Sequence, residues 1–194
     1  RTIQSEDAGI LIQVARLQAQ MNDTGGILQT LDKDFSLNPQ NTEVNYMLGV
    51  HLLTEQPESA VYHLEIAGDD GKYQAYSRYL RSVVEQYGDV FGSGEWYFHT
   101  GQALGQVGEW TEARNAFYRA VELLPASGTA WAMLGEAQQQ TGEDGKASLD
   151  KAQQIDPGGE IVNGLLALYY RRQGNIQRAM EMLEKAAAAN PGAA

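Results

Sequence analysis

The chain has 194 residues, 43% of them hydrophobic, which is enough to bury a continuous core. Its 25 acidic side chains against 14 basic ones leave a net charge of −11. That balance argues against nucleic acid, whose phosphates are neutralised by Lys and Arg, and favours basic or neutral partners. Cysteine is absent, so disulfides, thiolate catalysis and Cys-based zinc sites are excluded.

Residues 8–41 read as two amphipathic helices. Leu11, Val14 and Ala15 lie on the face of the first, Ile27 and Leu31 on the second, and Pro39 closes the pair. Gln18 stands where the first face would want an apolar residue. Residues 42–74 repeat the pattern with Leu48, Gly49 and Leu52, then Ala60, Leu64 and Ala67, with the turn one residue shorter.

The stretch around 72–88 breaks the period. Tyr73, Tyr76, Leu80, Val83 and Tyr87 recur at spacings of three and four, which predicts one extra helix dividing the array into a two-repeat and a three-repeat arm. Two readings stay open: a helix that covers core surface at the junction, or a Tyr-rich contact surface.

Residues 94–127 carry the clearest pattern. Tyr97, Gly101 and Leu104 share one face of a first helix, and Ala113, Phe117 and Ala120 share one face of a second. Gly101 and Ala113 are small, so the helix axes can approach closely, and Phe117 fills the remaining volume. Gly108 supplies the turn, and Pro125 ends the second helix because it has no backbone N–H. Residues 128–159 repeat the first face 34 residues on, with Trp131, Leu134 and Gly135. Leu149, Ala152 and Pro157 repeat the second face 32 residues on, which predicts the loss of two residues from the turn after Gly142. Residues 160–193 place Leu166, Ala167 and Tyr170 on a first helix, Gly174 at the turn, and Ala179, Leu183, Ala186 and Pro191 on the second.

The set Gly101, Leu104, Gly108, Ala113, Phe117, Ala120 and Pro125, with its copies on either side, resembles the tetratricopeptide repeat in its bacterial type. The resemblance implies an all-α, right-handed superhelical solenoid of helix–turn–helix repeats, forming one array over residues 1–194. It implies a binding role without catalysis, and no cofactor.

The residues agree with that expectation. His51, His63 and His99 fall on repeat helices, and Glu95 with His99 offers two ligands where a metal site needs at least three. No nucleophile elbow, phosphate-cradling loop or paired-carboxylate motif stands in a suitable context. No apolar run reaches the length of a membrane span; the longest, around Ile10 to Ala15, is a repeat helix. The sequence begins with Arg1 rather than Met, which leaves room for a signal sequence or anchor ahead of it. The lack of cysteine tilts the localisation toward an extracytoplasmic one, periplasmic or cell-surface.

In the family the resemblance points to, ligands lie along a concave groove lined by the first helices. By register this groove takes Glu43, Tyr46, Val50 and Leu53, then Glu95, Phe98, Gln102 and Gln106, then Thr129, Glu136, Gln139 and Gln140, and finally Leu168, Arg171 and Arg172. Tyr46 and Phe98 are the expected apolar anchors, as large aromatics at positions outside the core. The carboxylate clamp of chaperone-binding members is not matched, because Phe98, Gln102, Ala132 and Glu136 stand at its positions.

The final helix carries Met180, Met182 and Leu183 with no capping helix after it, which predicts either truncation or self-association through those residues. The expected function is a scaffold or adaptor for a protein or peptide partner in a bacterial envelope assembly, similar to the tetratricopeptide proteins of pilus biogenesis, secretion, polysaccharide export or cytochrome maturation. The alternative is a structural subunit that stacks end to end into a filament or homo-oligomer.

Overall fold

The computed structural model describes residues 10–18, 21 and 23–189. Pro191, expected to close the last hairpin, lies outside them, as does the start of the first. Among the described residues there are helices and no strand. In order they are α1 (residues 10–18), α2 (Thr24–Leu37), α3 (Thr42–Leu52), α4 (Pro57–Ala67), α5 (Gln74–Tyr87) with a 3-10 turn at Gly88–Val90, α6 (Gly94–Gln106), α7 (Trp110–Leu123), α8 (Gly128–Gln140), α9 (Lys146–Ile155), α10 (Glu160–Arg172) and α11 (Ile176–Ala189).

The chain divides into two compact units, Arg1–Gly92 with Ala103–Glu112, and Ser93–Gln102 with Ala113–Ala194. In the first unit α2 packs on α3, α3 on α4, and α4 on α5. Its core holds Ile12, Ala15, Ile27, Leu31, Leu48 and Leu64, while Val14, expected on the buried face of α1, is exposed. The extra helix α5 buries Tyr73 at its N-cap together with Ser77, Leu80 and Val83, and leaves Tyr76 and Tyr79 exposed. It therefore covers core with one face and presents tyrosines on another. Gly49 fits against Leu64, where a Cβ would stand 2.5 Å from the leucine Cγ.

In the second unit α8 packs on α9 and α10 on α11, with α10 also against α8 and α9. Leu149, Ala152, Val162, Leu166, Ala167, Tyr169 and Met182 form its core with Ala132, and Trp131, Leu165 and Tyr170 pack on it. The small–large fit recurs here, Gly101 facing Phe117 and Gly135 facing Leu149.

Two devices repeat from hairpin to hairpin. The turn glycines Gly108, Gly142 and Gly174 adopt φ of 89°, 90° and 74°, the left-handed region. The residue after each donates its N–H to a carbonyl five residues back: Glu109 to Leu104, Glu143 to Gln138 and Asn175 to Tyr170. These bonds satisfy carbonyls that the end of a helix would otherwise leave bare. The second device ties each entering loop to the helix it precedes. The side chains of Asn45, Trp131 and Asn163 donate to the carbonyls of Pro39, Pro125 and Pro157, at 2.8, 3.0 and 3.0 Å.

The two-residue deletion after Gly142 is taken up by the helix rather than by the connection. The connection from α8 to α9 is not shortened; α9 has lost its first turn and is 10 residues long where α7 has 14. It starts after Gly145, whose φ of 70° and close approach to the backbone of Gly135 replace the alanine found at the matching position of α7.

One buried group departs from the repeat. Ile27, Leu31 and Asp34 of α2 fall in the register of Ala60, Leu64 and Ala67 of α4, so Asp34 stands where a small apolar residue is otherwise used. Its side chain is fully buried and neither carboxylate oxygen has a hydrogen-bond partner. Burial, and then the charge of Glu43, push its carboxyl above the ordinary range.

Candidate partner-binding site

The expected groove residues separate into three kinds of environment. Val50 and Leu53 are buried in the core of the first unit, so they cannot line a groove; α3 turns Val50 inward, and Leu53 is buried at its C-cap. Tyr46 is also buried, only 6% exposed, and has a packing role that its sequence position does not suggest. Its ring stacks on Tyr73, with centroids 4.6 Å apart and planes at 21°, and Tyr76 lies tilted beside it at 6.4 Å. Phe98 is half-buried, with its ring edge-on to Phe117 at 6.1 Å, so it too is held by its own hairpin.

Glu95, Gln106 and Arg171 are exposed, and Thr129 and Leu168 are half-buried. Gln102 Oε1 lies 3.1 Å from Nδ1 of His99. Among the described residues no group of three or more His, Asp or Glu is placed to hold a metal ion.

In the second unit, residues from the first helices of two successive hairpins join. Arg172 of α10 donates from Nη1 to Glu136 Oε2 at 2.6 Å and from Nη2 to Glu136 Oε1 at 2.7 Å, a bidentate pair. Arg172 Nη1 also donates to Gln139 Oε1 at 3.1 Å, and Gln140 Nε2 donates to Glu136 Oε1 at 2.8 Å. Glu136 is 8% exposed, and its burial alone would raise its carboxyl pKa. The hydrogen bonds from Arg172 and Gln140 and the guanidinium charge outweigh that and hold the carboxyl below its ordinary value.

In the first unit, the buried Tyr46 hydroxyl lies beside the Glu109 carboxylate. Burial, followed by the charge of Glu109, pushes the phenol up. Burial, and then the neighbouring Glu112, push the Glu109 carboxyl up in turn. Nδ1 of His51 lies 3.7 Å from Oε1 of Glu112 and makes no hydrogen bond. Glu43 is paired with Arg16, and Lys72 Nζ donates to the Tyr73 hydroxyl at 2.7 Å.

Glu109 and Glu112 escape a sequence reading because the Gly108-Glu109 turn is explained by its glycine alone. Two glutamates three residues apart at a helix entrance were the available signal.

Residues 98–160 match a family model described as tetratricopeptide repeat, and residues 162–192 match a second with the same description. No curated protein matches the chain in sequence. Among solved structures, MamA residues 41-end from Desulfovibrio magneticus RS-1 is 16% identical, with 96% of this chain and 97% of that one covered and a TM-score of 0.47. YrrB, described as a TPR protein with an unusual peptide-binding site, is 20% identical over 94% of this chain and 86% of its own, with a TM-score of 0.47. Pseudomonas aeruginosa PilF is 16% identical over 96% and 78%, with a TM-score of 0.45. Over the matched residues, 98–160 and 162–192, the chain is built of tetratricopeptide repeats, and its fold is an all-α solenoid of helical hairpins.

Proposed function

We propose that the chain is a non-catalytic protein-interaction scaffold that holds a peptide or protein segment on the first helices of its hairpins. We place it in a bacterial envelope assembly of the pilus, secretion, polysaccharide-export or cytochrome-maturation kind. The observation that carries the reading is the network of Glu136, Gln139, Gln140 and Arg172. Four groove positions on two helices are fixed by one another before any partner arrives, which lowers the ordering cost of binding. The cysteine-free composition supports the extracytoplasmic setting.

The test is capture of partners from the native source on immobilised protein, comparing the unmodified chain with Gln140→Ala and Arg172→Ala. A partner retained by the first and lost from the variants is the expected result. A partner retained equally by all three moves the site elsewhere, and none retained by any overturns the scaffold reading.

One observation favours a second reading, a structural subunit. Ile176, Met180 and Leu183 form an exposed stripe on one face of α11, and Leu183 is 54% exposed where its counterpart Leu149 is buried against α10. Light scattering across a dilution series separates the two, since end-to-end stacking gives a mass that rises with concentration.

A further inference from the structure

Resting on the structural-subunit reading and deepening it, we infer that α11 of one copy receives α1 of a second copy, through the same junction that joins hairpin to hairpin within the chain.

That junction is seen where α10 follows α9. Val162, Leu166 and Tyr169 of α10 stand at i, i+4 and i+7 and share one core with Leu149 and Ala152 of α9. A first helix thus closes on the second helix of the hairpin before it. The same register is buried elsewhere: Val44 and Leu48 match Val162 and Leu166, as do Ala130 and Leu134. Leu31, Leu64 and Phe117 are buried where Leu149 stands.

The two halves of the junction are each found open once. On α1 the register puts Ile10, Val14 and Leu17 at the positions of Val162, Leu166 and Tyr169, and all three are exposed, Ile10 and Leu17 to 60% and 58%. Ile12 and Ala15 of the same helix are buried. So α1 is seated in its own hairpin and turns a second apolar stripe outward. On α11, Leu183 and Ala186 hold the positions of Leu149 and Ala152, but Leu183 is exposed and Ala186 only half-buried. Met180, one turn earlier, widens that apolar surface.

The register also names the occupant. What covers Leu149 is a first helix bearing large apolar side chains at i, i+4 and i+7, and α1 bears three of them, outward and uncovered. A second copy supplies what each surface lacks. Because the two surfaces differ, the contact is heterologous and can repeat from copy to copy. Pairing α11 with α11 would leave the stripe on α1 in water, whereas pairing α11 with α1 buries both.

The experiment follows mass by light scattering over a dilution series for the unmodified chain, Leu17→Glu, Leu183→Glu and an equimolar mixture of the two variants. The unmodified chain should gain mass with concentration, and each variant alone should stay a single chain, because each keeps only one of the two surfaces. Their mixture should double in mass and stop there. Both substitutions fall on exposed residues, so melting curves at high dilution should match the unmodified chain. Leu17→Ser with Leu183→Ser repeats the mixture if either glutamate lowers the melting temperature. Association of Leu17→Glu with itself, a mixture that stays at single-chain mass, or a mixture that grows past the pair would each overturn the inference. A mass that rises for the unmodified chain and is lowered by neither substitution overturns this junction and leaves the structural-subunit reading standing. A mass that never rises removes both.

Discussion

Gly135 and Leu149 meet where α8 crosses α9: a Cβ on Gly135 would stand 2.7 Å from the leucine Cγ and 3.0 Å from the carbonyl oxygen of Gly145. The helices touch there through backbone as well as side chain. Gly145, in the left-handed region, is what lets α9 begin a turn late without leaving a gap.

Gly145→Ala should therefore destabilise the chain by about 2–3 kcal/mol, combining an unfavourable φ with a collision against the Gly135 carbonyl. Gly158→Ala, with open space around its position, should change stability little. Thermal unfolding of both variants checks this, and equal small shifts would count against the close crossing.

Asp34→Ala should stabilise the first unit by roughly 1–3 kcal/mol at pH 7, because it removes a fully buried carboxyl with no partner and restores the residue type used at the matching positions. The raised pKa sets the pH dependence. The folded chain holds this proton more tightly than the unfolded chain, so the wild-type side chain is tolerated best below its ordinary value of 3.8 and becomes a liability as pH rises through its folded value. The gain from the substitution should accordingly shrink on going from pH 7 to pH 3.5. A gain that grows in acid would show that the carboxylate is paired after all.

Glu136→Gln should cost about 1–2 kcal/mol at neutral pH, since the bidentate bond to a partly exposed Arg172 is lost while the guanidinium keeps access to water. The folded carboxyl lies below its ordinary value near 4.5, so its contribution is present above that value and disappears as pH falls through the folded one. Unfolding curves of the two proteins should converge in acid. A difference that persists at pH 2 would mean that shape, not charge, fits Glu136 to its place.

Met182 is the reverse of its sequence expectation. It is 4% exposed, packed in the core of the second unit and accepting a hydrogen bond from Gln153 Nε2, and so is unavailable for self-association. Met182→Ala should cost about 2–4 kcal/mol, whereas Met180→Ser and Leu183→Ser should leave the melting temperature nearly unchanged. If copies of the chain stack through this face, those two serine variants lower the mass seen by light scattering at high concentration, and Met182→Ala lowers stability without that specific loss.

The helices and their pairing into hairpins were legible in the residues. Gly108, Gly142 and Gly174 mark the turns because only a residue without a Cβ adopts that φ readily, and the spacing of Gly101 from Phe117 fixes which faces meet. Periodicity defines a face only to about one residue in width, however, and a neighbouring helix decides which side of that width is covered. That is why α11 buries Met182 and exposes Leu183, and why α3 and its C-cap turn Val50 and Leu53 inward. The candidate site depended still more on tertiary structure. Tyr46 meets Tyr73 and Glu109, and Arg172 meets Glu136 across 36 residues, through contacts that no local spacing encodes. The turn glycines mark helix ends because they act on their own backbone, but the late start of α9 depends on the packing of Gly145 against Gly135. Only packing decided which polar groups lost their water, and with it where charge and unfilled hydrogen-bonding capacity were left.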